Sequence, residues 1–259
     1  MKLALRESGD ARRPAVVLLH AFPLSGAMWE PQAAALRDFR VLAPDLRGFG
    51  GTPFSGSWLI EHAVDDLFET LDAAGVEKAV LAGLSMGGYV ALRAAEKRPE
   101  RVRALVLCDT RAEADSNEGK AQRAAAIDSV RARGVAAFAE PFLAGALAPE
   151  TLAGNPRAVG FLKALIGAAL PEAVAAALAA LAARPDMTGS LSRITVPTAV
   201  LVGAQDLLTP LPAAELLRAR IAGARLHVIP GAGHLSSVEN PAVFNERLVS
   251  FLNGLRDRP

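Results

Sequence analysis

Gly83-Leu84-Ser85-Met86-Gly87 sets a hydroxyl among glycines, where the apolar run "KAVLAGL" (78–84) gives way to a helical pattern beginning at Met86. A serine in that setting can attack a carbonyl carbon. A strand that turns at once into a helix lifts the Ser85 hydroxyl clear of the sheet edge, and the glycines let neighbouring backbone come close. The N-terminus of the following helix offers free N–H groups and positive partial charge to a developing oxyanion. The plainer role for the same serine is to cap that helix. The two roles differ in their needs, because a serine nucleophile is weak until a base takes its proton.

The chain has four histidines to supply that base. His62 falls on the charged side of a helical pattern in "EHAVDD", and His227 alternates within "RLHVIP", so both read as structural or solvated. His20 ends the first long apolar run and reads as a brace for a loop. His234 stands apart, in the Gly-flanked loop "GAGHLSS" directly after the last apolar run, on the edge where Ser85 is expected. An imidazole base needs a carboxylate to fix its tautomer and to stabilise its cation. Asp206, in "VGAQDLLTP", lies at that edge. Asp109, after "LVLC", is the rival, but it runs directly into a segment of different character and could cap it, which favours Asp206.

These residues sit at the ends of short apolar runs at 15–20, 39–45, 78–84, 102–109, 198–206 and 225–233. Runs of this kind suit strands covered on both faces in a parallel sheet. Between them, 58–75 shows helical spacing and stops at Gly75, and 86–100 reads as a helix ended by Pro99. The alternation predicts a doubly wound, mostly parallel α/β sheet. From about 111 to 195 the text is Ala-rich, without a strand, and broken by Gly or Pro at 134, 141, 149, 154, 156, 167, 171 and 185. It reads as several short helices inserted between two strands. The expected division is therefore a core of 1–110 and 196–259 with a helical cap at 111–195.

The 259 residues carry 28 Lys+Arg against 27 Asp+Glu, 51% hydrophobic residues and one cysteine. Near-neutral charge without a basic stripe speaks against nucleic acid and anionic membrane as partners, leaving small molecules. Cys108, in "ALVLCDT", has no partner for an intramolecular disulfide and reads as a small core residue. The opening "MKLALRESGD" is interrupted by charge too soon for a secretory signal, and the apolar tract at 173–183 is too short to span a bilayer. The expectation is a cytoplasmic protein, monomeric or homodimeric. The histidines and cysteine show no metal-ligand spacing, and the chemistry envisaged requires no cofactor.

Taken together, "HAFPLSGAMWEPQ", "APDLRGFGGT", "GLSMGGYVAL", "VGAQDLLTP" and "GAGHLSSVENP" resemble the successive motifs of the α/β-hydrolase superfamily, spread from 20 to 241. The order Ser, Asp, His is also that superfamily's order. The resemblance implies Ser85 as nucleophile, His234 as base and acid, and Asp206 as the orienting carboxylate. It also implies an oxyanion hole from the backbone N–H groups of Phe22 and Met86. Ala21 stands where the family usually has glycine, which would strain the loop if its φ were positive. Only "KLALRES" precedes the His20 run, where the family usually has two strands, so the first is expected to be missing.

Serine rather than aspartate at position 85 sets the chain apart from the family's epoxide hydrolases and haloalkane dehalogenases, leaving acyl transfer. The motifs resemble small bacterial carboxylesterases, aryl esterases and cofactor-free perhydrolases, and also enol-lactone hydrolases. The leading expectation is a serine esterase for small to medium carboxylic esters. The alternative is an enol-lactone or C–C bond hydrolase whose substrate carries a carboxylate, anchored by Arg111. Arg111 could instead pair with Glu113 or Asp115 at the entry to the inserted segment. From another class, a ligand receptor on the same fold would keep these residues without turnover. Pro23 beside the oxyanion loop suggests, by resemblance, a perhydrolase side activity. Phe138, Phe142 and Phe161, with Leu143, Leu162 and Leu165, are candidates for the cap's apolar underside, and Leu207, beside Asp206, is a further candidate substrate-binding residue.

Overall fold

A computed structural model describes residues 1–256. The apolar runs become strands: β1 (Leu5–Ser8), β2 (Ala15–Leu19), β3 (Arg40–Pro44), β4 (Ala79–Leu84), β5 (Val102–Cys108), β6 (Thr198–Gly203) and β7 (Arg225–Ile229). They form one sheet in the order β1-β3-β2-β4-β5-β6-β7. Among the described residues only β1 runs antiparallel, against β3; every other pairing is parallel. A single strand precedes β2, as the missing first strand implied. β2, β3, β4 and β6 are buried at every residue, which is why Val, Leu and Ala run consecutively through their middles rather than alternating with polar residues. β7 departs from the expectation of burial on both faces. It pairs only with β6, and as the edge strand it leaves Arg225 and Val228 exposed.

The helices are α1 (Glu30–Ala35), α2 (Ile60–Ala73), α3 (Met86–Lys97), α4 (Asn117–Ala146), α5 (Pro149–Gly154), α6 (Pro156–Gly167), α7 (Pro171–Ala183), α8 (Leu211–Arg220), α9 (Ser236–Glu239) and α10 (Pro241–Arg256). In α2, Ile60, Val64, Leu67, Phe68 and Leu71 recur at helical spacing and are buried, and the chain leaves the helix at Gly75 with φ 67°. α3 ends two residues before Pro99. Because β2 to β7 are parallel, the loops that follow β2, β4, β5, β6 and β7 all emerge at one edge.

Between β5 and β6 stand α4, α5, α6 and α7. Several short helices were expected here, but α4 covers 30 residues and is interrupted only at Gly134, where φ 76° and ψ 172° break it into two rods. The alanine-rich stretch favours helix, so only a residue able to leave helical geometry divides it. Pro149, Pro156 and Pro171 each open a helix, where the absent N–H costs nothing. α7, the apolar tract, lies along α4. Among the described residues no single helix is long and apolar enough to cross a membrane; α6 and α7 together are, but they meet at 96°.

Candidate active site

Ser85 sits at the turn between β4 and α3 with φ 54° and ψ −111°. Among the described residues only Ser85 and Asp109 are non-glycine with positive φ. Such a conformation persists only where its surroundings fix it. Here Ser85 N–H donates to Cys108 O at 2.9 Å, and the Thr110 hydroxyl donates to Ser85 O at 2.9 Å. Gly87 lets α3 press onto β2, since a Cβ there would lie 2.1 Å from Leu19 O. The Ser85 side chain makes no capping hydrogen bond. Its hydroxyl lies instead 2.8 Å from His234 Nε2.

His234 Nδ1 is 2.9 Å from Asp206 Oδ2 and 3.1 Å from Oδ1. The Leu208 and Thr209 N–H groups donate to Asp206 Oδ1 at 2.8 and 2.9 Å, and the Thr209 hydroxyl donates to Oδ2 at 2.6 Å. Burial pushes the Asp206 carboxyl upward, but His234 and Thr209 together hold it below the usual carboxylate range. An ionised Asp206 accepts a hydrogen bond from Nδ1–H, which leaves Nε2 free to accept from Ser85. The three side chains thus form a line able to activate a hydroxyl and to store its proton.

The other candidates are engaged elsewhere. Asp109 is fully buried and bonds Gly203 and Ser236, not His234. His20 Nε2 accepts from the Leu46 N–H at 2.9 Å, bracing the loop after β3. His62 accepts from the Leu59 N–H at the start of α2, and His227 lies half-buried on β7. The Cys108 thiol is buried, and burial followed by Asp109 pushes it well above its usual range.

Phe22 and Met86 flank Ser85, and among the described residues neither backbone N–H has a hydrogen-bond partner. They are the two N–H groups expected from the sequence to hold an oxyanion. Ala21 does not have a positive φ, so alanine replaces glycine there without strain. The histidine loop is also fastened to the inserted helices. His234 N–H donates to Ala146 O at 2.7 Å, and the buried Glu239 carboxylate accepts from the N–H groups of Ala148, Gly233 and Leu235 at 2.7, 3.0 and 3.1 Å.

Ser85 and His234 open onto a cavity of about 670 Å³ beneath α4 and α7. One side is apolar, with Phe22, Phe138 and Phe142 in mutual ring contact and Leu178 and Leu181 beside them. The other is polar, with Arg111, Arg123, Glu113, Asp115 and Glu118.

Residues 14–241 match the alpha/beta hydrolase fold family. The chain belongs to that family. A 3-oxoadipate enol-lactonase of Acinetobacter baylyi is 31% identical to this hydrolase, over 92% of this chain and 88% of the relative. A thermophilic esterase of Thermogutta terrifontis, solved with malate bound, superposes with a TM-score of 0.94 at 38% identity, covering 98% of this chain and 93% of the other. An enol-lactonase of Burkholderia xenovorans superposes with a TM-score of 0.91 at 29% identity, covering 97% and 96%.

Of the pocket residues expected in this hydrolase, Arg111, Phe138, Phe142 and Leu207 line the cavity, Leu207 at its mouth with 79% of its surface exposed. Phe161 does not. It sits half-buried on α6 against the hydrophobic core, because α6 turns that face away from the site. Leu143 and Leu162 are likewise core, and Leu165 packs against it. Unforeseen were Tyr89, Arg123, Leu178 and Thr209. Thr209 alone had a signal, since a threonine three residues after an aspartate can close a local turn onto its carboxylate.

Arg111 pairs with Asp115 at 3.0 Å, as do Arg123 and the buried Arg184, the last at 2.7 Å while its guanidinium lies 4.4 Å from the Tyr89 ring centre. Asp115→Ala leaves Arg184, with 3% of its side chain exposed, without its counter-charge. Breaking a buried pair from one side is expected to cost about 3–5 kcal/mol, measured by urea unfolding at pH 7. Burial alone would raise the Asp115 carboxyl, but Arg123 and then Arg184 hold it low. The penalty should therefore persist above the ordinary carboxylate range and shrink as pH falls through the depressed value.

Proposed function

We propose that this hydrolase cleaves small to medium neutral carboxylic esters through an acyl-enzyme on Ser85. The carrying observation is the unbroken Ser85–His234–Asp206 hydrogen-bonded line at the floor of a cavity with one apolar wall. Ser85 Oγ attacks the ester carbonyl as His234 Nε2 takes its proton, and the Phe22 and Met86 N–H groups hold the oxyanion. The imidazolium then protonates the departing alcohol. Water, deprotonated by the same nitrogen, attacks the acyl-enzyme, and the carboxylic acid leaves.

Charge supports a neutral substrate. Arg111 and Arg123 share the cavity wall with three carboxylates, Glu113, Asp115 and Glu118, so the wall as a whole carries no surplus positive charge to hold a free carboxylate. The helices at 111–195 act in this reading as a cap whose Phe138 and Phe142 bound the acyl group. A second reading, hydrolysis of a carboxylate-bearing enol-lactone, is favoured by the enol-lactonase relatives and by the presence of Arg111 and Arg123 at the cavity.

Initial rates on p-nitrophenyl esters from acetate to palmitate, set beside a carboxylate-bearing enol-lactone, separate the two. Fastest turnover on the short neutral esters is the expected result. A kcat/KM for the lactone exceeding that of every neutral ester, and lost in Arg111→Ala, would establish the second reading instead.

A further inference from the structure

Asp109 takes no part in the proton path, yet it is fully buried and both its oxygens are bonded. Oδ1 accepts from the N–H of Gly203 at 2.8 Å, the last residue of β6 and three before Asp206. Oδ2 accepts from the hydroxyl of Ser236, two residues after His234. We propose that Asp109 is a positioning residue, whose carboxyl group ties the loop carrying Asp206 to the loop carrying His234 and so sets the acid against the base. This rests on the reading of Ser85, His234 and Asp206 as the reacting line.

Three features of the surroundings support it. First, the two loops meet backbone to backbone, since a Cβ on Gly203 would lie 1.9 Å from Gly233 O. No side chains interlock across that seam at its closest point, so polar groups must fix it. Besides the Ala204 N–H to Ile229 O and Gln205 N–H to Ala232 O bonds, both 2.9 Å, and the contacts of Asp206 and Thr209 with His234 itself, the seam is spanned by Asp109. Secondly, Asp109 has φ 43°, a strained conformation that it shares only with Ser85 among the described non-glycine residues, and its own N–H is held by Leu201 O at 2.9 Å. The strain turns the side chain across the end of β6. Thirdly, the ionisable groups that interact with its charge are Asp206, Glu239 and the neighbouring Cys108. Burial first, then the charge of Asp206, pushes the Asp109 carboxyl well above its usual range. A neutral carboxylic acid accepts at one oxygen and donates from the other, as asparagine's amide does; with Oδ1 accepting from Gly203 and the Ser236 hydroxyl turned to accept, asparagine can fill the positioning role.

The test compares Asp109→Ala with Asp109→Asn on a p-nitrophenyl ester, alongside the rate at which a fluorophosphonate labels Ser85. Misplacement of a reacting group by about 1 Å costs on the order of a hundredfold, so Asp109→Ala is expected to lose about that much in kcat and in labelling rate. Its KM should stay within about twofold of the parent, because ground-state binding is untouched. Asp109→Asn should restore kcat to within about threefold, with an unshifted pH–rate profile. A folded Asp109→Ala with parental kcat overturns the proposal, as does an Asp109→Asn as slow as the alanine variant or with a shifted profile. Should Asp109→Ala fail to fold, Ser236→Ala removes one arm of the tie alone. A loss of about tenfold in kcat at constant KM is then expected, and parental kcat overturns the proposal. The labelling arm keeps the premises apart. A parent that is labelled but hydrolyses no ester defeats the ester reading and leaves Asp109 to be judged on labelling rates, whereas a parent that is never labelled defeats the reacting line and this proposal with it.

Discussion

Ser85→Ala is expected to lower kcat on p-nitrophenyl acetate by about a millionfold, to a residue supplied by the oxyanion donors and substrate binding alone. The size follows from the loss of the covalent route, because His234 cannot transfer its activation to a methyl group. KM should move little, since Ser85 is one small part of the cavity lining. Alanine is smaller than serine and occupies the same positive-φ turn, which Gly87 and Thr110 continue to frame. Circular dichroism should therefore be unchanged. Progress curves on the two purified proteins, with the variant expressed separately to avoid carry-over, decide the matter. Retention of even a hundredth of the parental rate would show that another group is the nucleophile.

Asp206→Asn is expected to cost about a thousand- to ten-thousandfold in kcat at neutral pH. Asp206 accepts from two backbone N–H groups at Oδ1, so an asparagine keeps its carbonyl oxygen there. Its NH₂ then faces His234 Nδ1 and donates to it, which moves the imidazole proton to Nε2. The nitrogen facing Ser85 becomes a donor and can no longer serve as base. A stability change accompanies this loss. Asp206 titrates below the usual carboxylate range despite the upward push of burial, because His234 and Thr209 favour its charged form. A group depressed in the folded state lends stability above its unfolded pKa of about 3.9, and that stability is lost as pH falls through the folded value. The Tm gap between parent and Asp206→Asn should thus be open at pH 7 and narrow below about pH 4. Melting curves at the two pH values test the sign, and a gap that widens in acid would contradict it.

The sheet and the reacting line were legible because both are written locally. Strands buried on both faces need apolar text, Ser85 and Asp206 follow such runs, and His234 follows the last strand of the same parallel sheet. Parallel pairing then brings the ends together without further information. β7 was grouped with the apolar runs although Arg225 and His227 alternate within it, the pattern of an edge strand covered on one side only. Phe161 misled for a related reason, since helical spacing shows that a face exists and not which neighbour it meets. The length of α4 was hidden by Gly134 and Pro141, which read as stops although only Gly134 leaves helical geometry. Asp109 was weighed for the wrong task. Its bonds to Gly203 and Ser236 span 94 and 127 positions, and nothing in the neighbouring text records contacts at that range.

The fastening of the histidine loop to Ala146 and Ala148 bears on how such enzymes can be recombined. The base takes part of its backbone support from the inserted helices, through the His234 N–H and the three bonds to Glu239. A chimera that replaces the whole insert with a relative's would import a stranger's carbonyl and amide to hold the imidazole. Gly134 offers the better splice point. Residues ahead of it can be exchanged to reshape the polar wall, while 135–148 stay with the parent as part of the frame that holds the His234 loop.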